Sequence, residues 1–434
     1  MSAGSGVAPS AEDGTRHRLP IRTLIAASIG NAIEWYDWTI YATFSIYFAS
    51  QFYPSDSPGL ALVKTSATYA LAFFFRPLGG WLLGRFADTQ GRRKAMLLTI
   101  LLMAGGSAAI GLLPTYEDVG WLAPALLTLA RVAQGVSLGG EVSNASAYLA
   151  EIAPPARRGR YSSFFYISTG SALLLASLLG ALLAAVLDKA QLVDFGWRIP
   201  FLIGGVLALV GLWLRRTLAE TEQFEDNKDK AAAVRWPLLV TLREHPKAVI
   251  QLVGFTMLST LCYYTFFAAL TPFAVTSRQA DPKDVFLALS AGTVVFIATQ
   301  YPFGALSDRF GRKPQMLVWS AGFALLIVPL SYLVGPGLAG LTVVFCVGLA
   351  LYALLSSIAP AIMSELFPTE LRGIGIGAWY NITVATFGGT APLVITALAN
   401  AGYDTAFFWY VAVAAVIGFV IVLTLPETNR SVLR

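Results

Sequence analysis

A chain of 434 residues that is 56% hydrophobic and only 13% charged, with a mean hydropathy of +0.65, cannot be a soluble globular protein, in which about a quarter of residues carry charge. It reads as an integral membrane protein. Its two cysteines, Cys262 and Cys346, lie far apart in apolar runs and exclude a disulfide framework. Its net charge of +5 does not indicate nucleic acid, because the basic residues follow the membrane topology.

The first 20 residues are polar and have no apolar core, which predicts a retained cytoplasmic tail over 1–20. Hydropathy then predicts twelve spans of the length a bilayer requires. They fall near 21–49, 63–86, 94–113, 121–150, 161–187 and 198–215, then 247–275, 284–306, 315–334, 338–363, 373–398 and 404–425. The polar segment 216–246, with Glu220, Glu222, Glu225, Asp226 and Asp229, is a predicted cytoplasmic central loop. It separates an N-terminal six-helix half (21–215) from a C-terminal one (247–425), which a cytoplasmic tail follows at 426–434. Of the 30 Lys and Arg residues, only Lys64, Lys189, Arg198, Arg278 and Lys283 fall in segments expected outside, and Arg76 and Arg131 fall within spans. The positive-inside rule therefore puts both termini in the cytoplasm.

The two halves repeat. Gly84-Arg-Phe-Ala-Asp88-Thr-Gln-Gly91-Arg92-Arg93-Lys94 follows the second span, and Gly304-Ala-Leu-Ser-Asp308-Arg-Phe-Gly311-Arg312-Lys313 follows the eighth. Glu151-Ile-Ala-Pro154 with Arg157 is echoed by Glu365-Leu-Phe-Pro368 with Arg372. Two matches in register predict an internal duplication, as in carriers built from parallel halves with substrate between them. A basic turn that only sets topology is explanation enough for Arg93 and Lys94. The recurring acid–base spacing makes Asp88, Arg92, Glu151, Arg157, Asp308, Arg312, Glu365 and Arg372 candidates for gate-closing ion pairs.

Charges inside the spans are concentrated in the first half: Glu34, Asp37, Arg76, Arg131 and Glu141. Glu34 and Asp37 are three residues apart and share a helical face near Asn31 and Tyr41. Each buried charge costs roughly 2.5–3.5 kcal/mol, and five buried separately would cost on the order of 12–17 kcal/mol. A polar cavity with mutual pairing is the economical alternative. Arg131, Gln134, Leu138 and Glu141 fall within an ~80° stripe of the fourth span. Both histidines, His17 and His245, lie outside the predicted spans, so a proton crossing the membrane must ride on a carboxylate such as Glu34, Asp37 or Glu141. For Glu141 a packing hydrogen bond explains the residue equally well. Arginine keeps its proton and presents a planar fork that matches a carboxylate. Arg76, beside Pro77 at mid-span, is the candidate for a substrate carboxylate, or else a structural partner of an acidic neighbour. Arg198 belongs at the outer rim as a capping or snorkelling residue. The C-terminal half offers polar and aromatic groups, of which Tyr264, Gln300, Tyr352 and Asn381 are candidates for the second wall of a site. The sequence shows no metal-ligand cluster, no nucleophile beside a histidine and no phosphate loop. It therefore points away from an enzyme, a metal site or any cofactor other than protons as coupling ion.

The repeated loop motif with twelve spans resembles the major facilitator superfamily over the whole chain. Gly30-Asn31 with Glu34-Trp35-Tyr36-Asp37, Arg76-Pro77-Leu78-Gly79-Gly80, the run from Arg131 through Gln134-Gly135 to Gly139-Gly140-Glu141, and Gly196-Trp197-Arg198-Ile199-Pro200-Phe201 are similar to the metabolite:proton symporters of that superfamily. The run from Arg131 to Tyr148, Leu261 to Phe266, and Thr405 to Tyr410 resemble its 2-oxoglutarate permease branch most. Pro392, in Thr390-Ala-Pro392, departs from that pattern, as do the outer loops and much of spans nine and twelve. The resemblance implies an all-α fold of two pseudo-symmetric six-helix halves. It also implies a monomeric carrier in the bacterial inner membrane that takes up a small carboxylate, 2-oxoglutarate or a related dicarboxylate, with protons. Glu34, Asp37, Arg131 and Glu141 would serve proton coupling, and Arg76 with Tyr264, Gln300, Tyr352 and Asn381 would serve substrate. Carriers of citrate, shikimate, proline or betaine share the first group of motifs and stay open as alternatives. A membrane receptor is a more distant one.

Overall fold

A computed structural model describes residues 21–55, 57–90, 92–138, 157–216, 242–366 and 379–429, and among these no residue is in a strand. In the first half α1 is Ile21–Phe52, α2 runs Pro58–Phe74 and continues as Arg76–Gln90, α3 is Arg92–Leu112, α4 is Leu122–Leu138, α5 is Arg158–Val186 and α6 is Arg198–Arg216. In the second, α7 is Pro246–Ser277, α8 Pro282–Phe310, α9 Arg312–Tyr332, α10 Leu338–Met363, α11 Trp379–Asn400 and α12 Ala406–Thr424. Among the described residues eight helices meet the length and hydropathy of a membrane span. A ninth candidate is α6 with its short preceding helix Lys189–Gly196, bent by 41°. The fold is all-α among the described residues, and its helices group into two halves. The N-terminal tail, nearly all of the central loop and the predicted continuation of the fourth span beyond 138 lie outside the described residues.

Local chemistry explains the breaks that shape the interior. Pro77 has no N–H, so it cannot continue the ladder of α2. The helix turns at Phe75, whose N–H is shared between Ala72 and Phe73 carbonyls, and restarts at Arg76. That break sets Arg76 at mid-depth. In α7 the five residues Thr265–Ala269 form a π turn immediately after Tyr264, and in α11 Val384–Gly388 form another. Such turns cluster at functional sites because each re-aims the side chains around it. α8 starts on Asp281, which accepts from the Lys283 N–H at 2.8 Å, and ends at Gly311, whose φ of 103° suits only glycine.

The halves meet along α5–α8, α2–α11 and α1–α7. At the end expected to face the cytoplasm, the inner end, α5 and α8 cross at Gly159 and Gly304; a Cβ at Gly304 would stand 2.5 Å from the Gly159 carbonyl oxygen. Towards the outer end Ser290 of α8 donates to Ser177 of α5 at 2.9 Å, and the Phe44 and Phe286 rings of α1 and α8 lie 5.4 Å apart. The halves are in contact at both ends of the bundle. Gly304→Ala is expected to wedge the inner crossing open and cost about 1–3 kcal/mol, as overpacked cores do. Thermal denaturation in detergent measures this, and an unchanged midpoint would show that the crossing tolerates the extra methyl.

Candidate functional site

Two groups of charge occupy the interior, and helix rotation separates them. Asp37 of α1 turns into its own half. Its carboxylate accepts from the Ser107 hydroxyl of α3, from Gln134 Nε2 of α4 at 2.6 Å, and from Arg131 Nη1 at 3.5 Å. Gln134 ties the group together, since its Oε1 accepts from Arg131 at 2.7 Å and its Nε2 also reaches Ser107 at 3.2 Å. Arg131 and Asp37 side chains are 0% and 2% exposed. The guanidinium lies 4.1 Å from the Trp38 ring, 4.2 Å from that of Tyr41 and 5.5 Å from that of Tyr69, so aromatic faces take the place of hydration around the cation. An ion pair so enclosed is neutral as a whole. It becomes positive when Asp37 takes up a proton.

Glu34 is also buried, but it is one turn away and rotated by about 60°. Its charge is felt by Tyr380 of α11, in the other half. The neighbouring Trp35 packs edge-on against Tyr263 at 4.8 Å and stands 6.4 Å from Tyr264, both on α7. This face of α1 lines the seam between the halves.

Arg76 stands at the same seam. It is fully buried, and none of its three nitrogens makes a well-formed hydrogen bond among the described residues. The Phe73 ring lies 5.2 Å from its Cζ, and Tyr69, Tyr264 and Tyr380 are close enough to feel its charge. Beside it a cavity of ≈ 20 Å³ opens between the halves, lined by Trp35 and Tyr166 from the first and by Ser259, Thr260, Tyr264, Tyr352 and others from the second. The hydroxyls of Thr256, Thr260 and Tyr263 have no hydrogen-bond partner there among the described residues, and that of Tyr264 lies against Arg76. A cavity of this size holds about one water, so the site is collapsed around its polar groups.

The remaining candidates divide. Tyr264 and Tyr352 line the cavity. Gln300 turns aside and donates to Ser356 of α10 at 2.7 Å, and Asn381 is buried on α11. At the inner end Asp308 accepts from the Gly159 N–H at 2.8 Å and from Arg312 at 2.9 Å, and lies 3.8 Å from Arg160. Glu365 stands 3.6 Å from Arg158 and 3.8 Å from Arg312 and accepts from Thr428 at 2.5 Å. Just past the end of α10, Glu365 has its carboxyl pushed up by burial, while Thr428 and the two arginines pull it back. Arg157 is exposed, and it is Arg158, one residue on, that faces Glu365. Glu427 completes the cluster by accepting from the Arg312 and Lys313 N–H groups. Glu141, Glu151 and Arg372 lie outside the described residues, as do the side chains of Asp88 and Arg92. Arg198 donates to the carbonyls of Gly111 and Leu113, capping the outer end of α3. Sequence reasoning did not single out Ser107, Arg158, Glu427 or the aromatic enclosure of Arg131. A buried serine about four turns into an apolar helix is a signal too common to find by itself.

A bundle whose halves pack around a central polar cavity, with an ion pair inside one half and charge at one end of the seam, is the architecture of a membrane transporter. The chain belongs to the Major Facilitator Superfamily, whose profile matches residues 27–385 and again 252–434. It is 40% identical over 419 residues to the alpha-ketoglutarate permease of Escherichia coli, covering 96% of this chain and 95% of that one. It is 34% identical to a putative proline/betaine transporter of Staphylococcus haemolyticus (93% and 87% covered) and 30% identical to the proline/betaine transporter of Escherichia coli (94% and 84%). Among solved structures, a D-xylose-proton symporter shares its fold with a TM-score of 0.73 at 20% identity, over 95% of this chain and 99% of that one. A partially occluded inward-open form of the xylose transporter XylE from Escherichia coli does so with a TM-score of 0.71 at 20% identity, over 94% and 98%.

Removing Arg131 would strand Asp37 in a buried site, and Arg131→Ala is expected to cost about 3–5 kcal/mol. Adding Asp37→Asn should return part of that loss, because the uncompensated charge is gone. Thermal unfolding of the two single variants and the double variant in detergent measures the coupling; strictly additive losses would show that the pair does not interact.

Proposed function

We propose that this chain carries a small carboxylate, 2-oxoglutarate or a related dicarboxylate, into the cell together with protons by alternating access. The observation that carries this reading is Arg76, a buried guanidinium without a well-formed hydrogen bond, next to a cavity rimmed by hydroxyls. A buried cation is retained at high cost unless an anion joins it, and a planar fork matches a carboxylate in both geometry and charge. The hydroxyls of Tyr264, Tyr263 and Thr260 suit the far end of such a molecule, which they can meet as neutral donors. The relative at 40% identity, named for alpha-ketoglutarate, supports the same substrate class.

Proton coupling follows from Asp37 and Arg131. A proton arriving from outside neutralises Asp37, weakens its hold on Arg131 and Gln134, and frees the half to shift against its partner. Glu34, on the seam, is the candidate for a second proton; Glu141 is a further one. A dianion entering against an inside-negative potential needs at least two protons, since each charge is worth ~2.3 kcal/mol per 100 mV. The ion pairs of Asp308, Arg312, Glu365 and Arg158 close the inner end meanwhile. Asp88, Arg92, Glu151, Arg157 and Arg372 are assigned to the same gate from their sequence repeat. In this reading both termini are cytoplasmic and the carrier works as a monomer.

A second reading rests on the cavity wall. Trp35, Tyr166, Tyr263, Tyr264, Tyr352 and Tyr380 would also suit the quaternary ammonium of betaine, with its carboxylate on Arg76. The two proline/betaine relatives favour it.

Proteoliposomes loaded with buffer and given an inward proton gradient separate these readings. Labelled 2-oxoglutarate is expected to accumulate in wild type, to be displaced by succinate more than by betaine or proline, and to fail in Arg76→Lys, which keeps the charge and loses the fork. Wild-type accumulation of betaine instead would overturn the substrate. Asp37→Asn is expected to abolish accumulation while preserving exchange of labelled for unlabelled substrate at equal pH. Accumulation indifferent to the gradient would overturn the coupling.

A further inference from the structure

The polar groups of the cavity beside Arg76 divide into engaged and idle ones. Tyr352 is hydrogen-bonded to Tyr166 and to Ser259, and Tyr264 lies against Arg76. The hydroxyls of Thr256, Thr260 and Tyr263 are buried and meet no partner among the described residues. A threonine inside a helix can satisfy its hydroxyl on the carbonyl four residues back, as Thr265 of the same helix does with Leu261 at 2.6 Å. Thr256 and Thr260 forgo that bond, and each buried hydroxyl left unpaired costs about 1–3 kcal/mol. Cargo with polar atoms at its far end would complete all three.

The spacing of these groups gives the reach. Thr256, Thr260 and Tyr264 recur every four residues of α7, so roughly 6 Å of helix separates each level from the next. All three line the cavity, and Tyr264 touches Arg76, so Thr260 stands one level from the guanidinium. A five-carbon diacid holds its carboxyl carbons about 5 Å apart, given C–C bonds of about 1.5 Å. With one carboxylate on Arg76, the other end arrives at the level of Thr260.

That end meets no cation. Among the described residues the buried Lys and Arg side chains are Arg76, Arg131, Arg158 and Arg312. Arg131 is committed to Asp37 and Gln134, and Arg158 and Arg312 stand against Glu365 at the inner end. The titratable groups around the cavity are Glu34 of α1, Arg76 of α2, Tyr166 of α5, Tyr263 and Tyr264 of α7, Tyr352 of α10 and Tyr380 of α11. Tyrosines ordinarily keep their protons to about pH 10, and Glu34 when ionised repels a second carboxylate. A carboxylate buried without an opposite charge neutralises instead. The acid so formed has one O–H to donate and keeps acceptor capacity, and hydroxyls answer both because each donates and accepts.

We propose that the cargo is the singly protonated form of the dicarboxylate, with its ionised carboxylate on Arg76 and its far carboxyl, as the neutral acid, on Thr256, Thr260 and Tyr263. The inference rests on the carboxylate reading of Arg76. One of the two protons that a dianion needs then crosses on the cargo itself. The far carboxylate takes that proton from the outer solution before binding and gives it up after release inside. The monoanion balances Arg76 one charge for one, and Asp37 carries the other proton.

Exchange in proteoliposomes at equal pH on both sides tests this, between about pH 6 and pH 8. Half-saturation by 2-oxoglutarate is compared with half-inhibition by 4-carbamoylbutanoate, whose far end is a neutral amide at every pH. Above the ordinary carboxyl pKa of about 4.3 the singly protonated diacid falls about tenfold per pH unit, whereas the amide keeps its single charge. Titration of the protein's own groups acts on both compounds and drops out of their ratio. The ratio of 2-oxoglutarate to amide concentration is expected to rise about hundredfold from pH 6 to pH 8. Joint Thr256→Val and Thr260→Val substitution is expected to weaken both compounds about tenfold. A ratio constant within about twofold, or an amide that never competes, overturns the protonated cargo. Unchanged binding of both compounds in the double variant overturns the place assigned to its far end. Failure of the underlying reading shows separately, as wild-type protein that exchanges betaine and does not exchange 2-oxoglutarate at any pH.

Discussion

Everything in the first half is arranged around the cost of holding Arg131 and Asp37 away from water. Lipid offers neither ion a partner, so the pair must be completed from within the protein. Gln134 supplies both a donor and an acceptor, Ser107 closes the carboxylate, and three aromatic faces enclose the guanidinium. Those demands fix the rotation of α1, α3 and α4 against one another. They also fix which face of α1 is left for the other half, and that face bears Glu34 and Trp35.

The division has a chemical logic. The ion pair sits inside one half, built from helices of that half alone. Arg76 and the cavity lie between halves, where any movement of one half against the other alters the geometry. In the proposed function the proton is held in the first kind of place and cargo is bound and released in the second. The π turns in α7 and α11 border the second place. There the C-terminal wall can bend without unfolding its helices.

Much of the architecture was legible in the sequence, because membrane burial writes hydropathy, loop charge and duplication directly into residue order. The intramembrane charges were legible for the same reason. Hydropathy does not report how far each helix is rotated, however. Glu34 and Asp37 seemed to share one face, yet 60° of rotation is enough to send them into different surroundings. The inner gate shows the same shortfall at finer grain, since choosing Arg158 over Arg157 depends on where α5 begins. Gln300 is polar and lies within a span, yet it is taken up within its own half by Ser356. The enclosure of Arg131 needs α1 and α2 to converge on α4, a tertiary fact that spacing within each span does not contain.

The two ends of the seam are fastened by different forces. The inner end is held by carboxylates, guanidinium groups and backbone N–H donors around Asp308 and Glu365, and the outer, among the described residues, by contacts such as Phe44 on Phe286 and Ser290 on Ser177. Apolar contact weakens on cooling, whereas ion pairing does not share that dependence. Temperature and charge thus act on opposite doors of one corridor. Cooling therefore acts first on the end of the seam that lacks ion pairs.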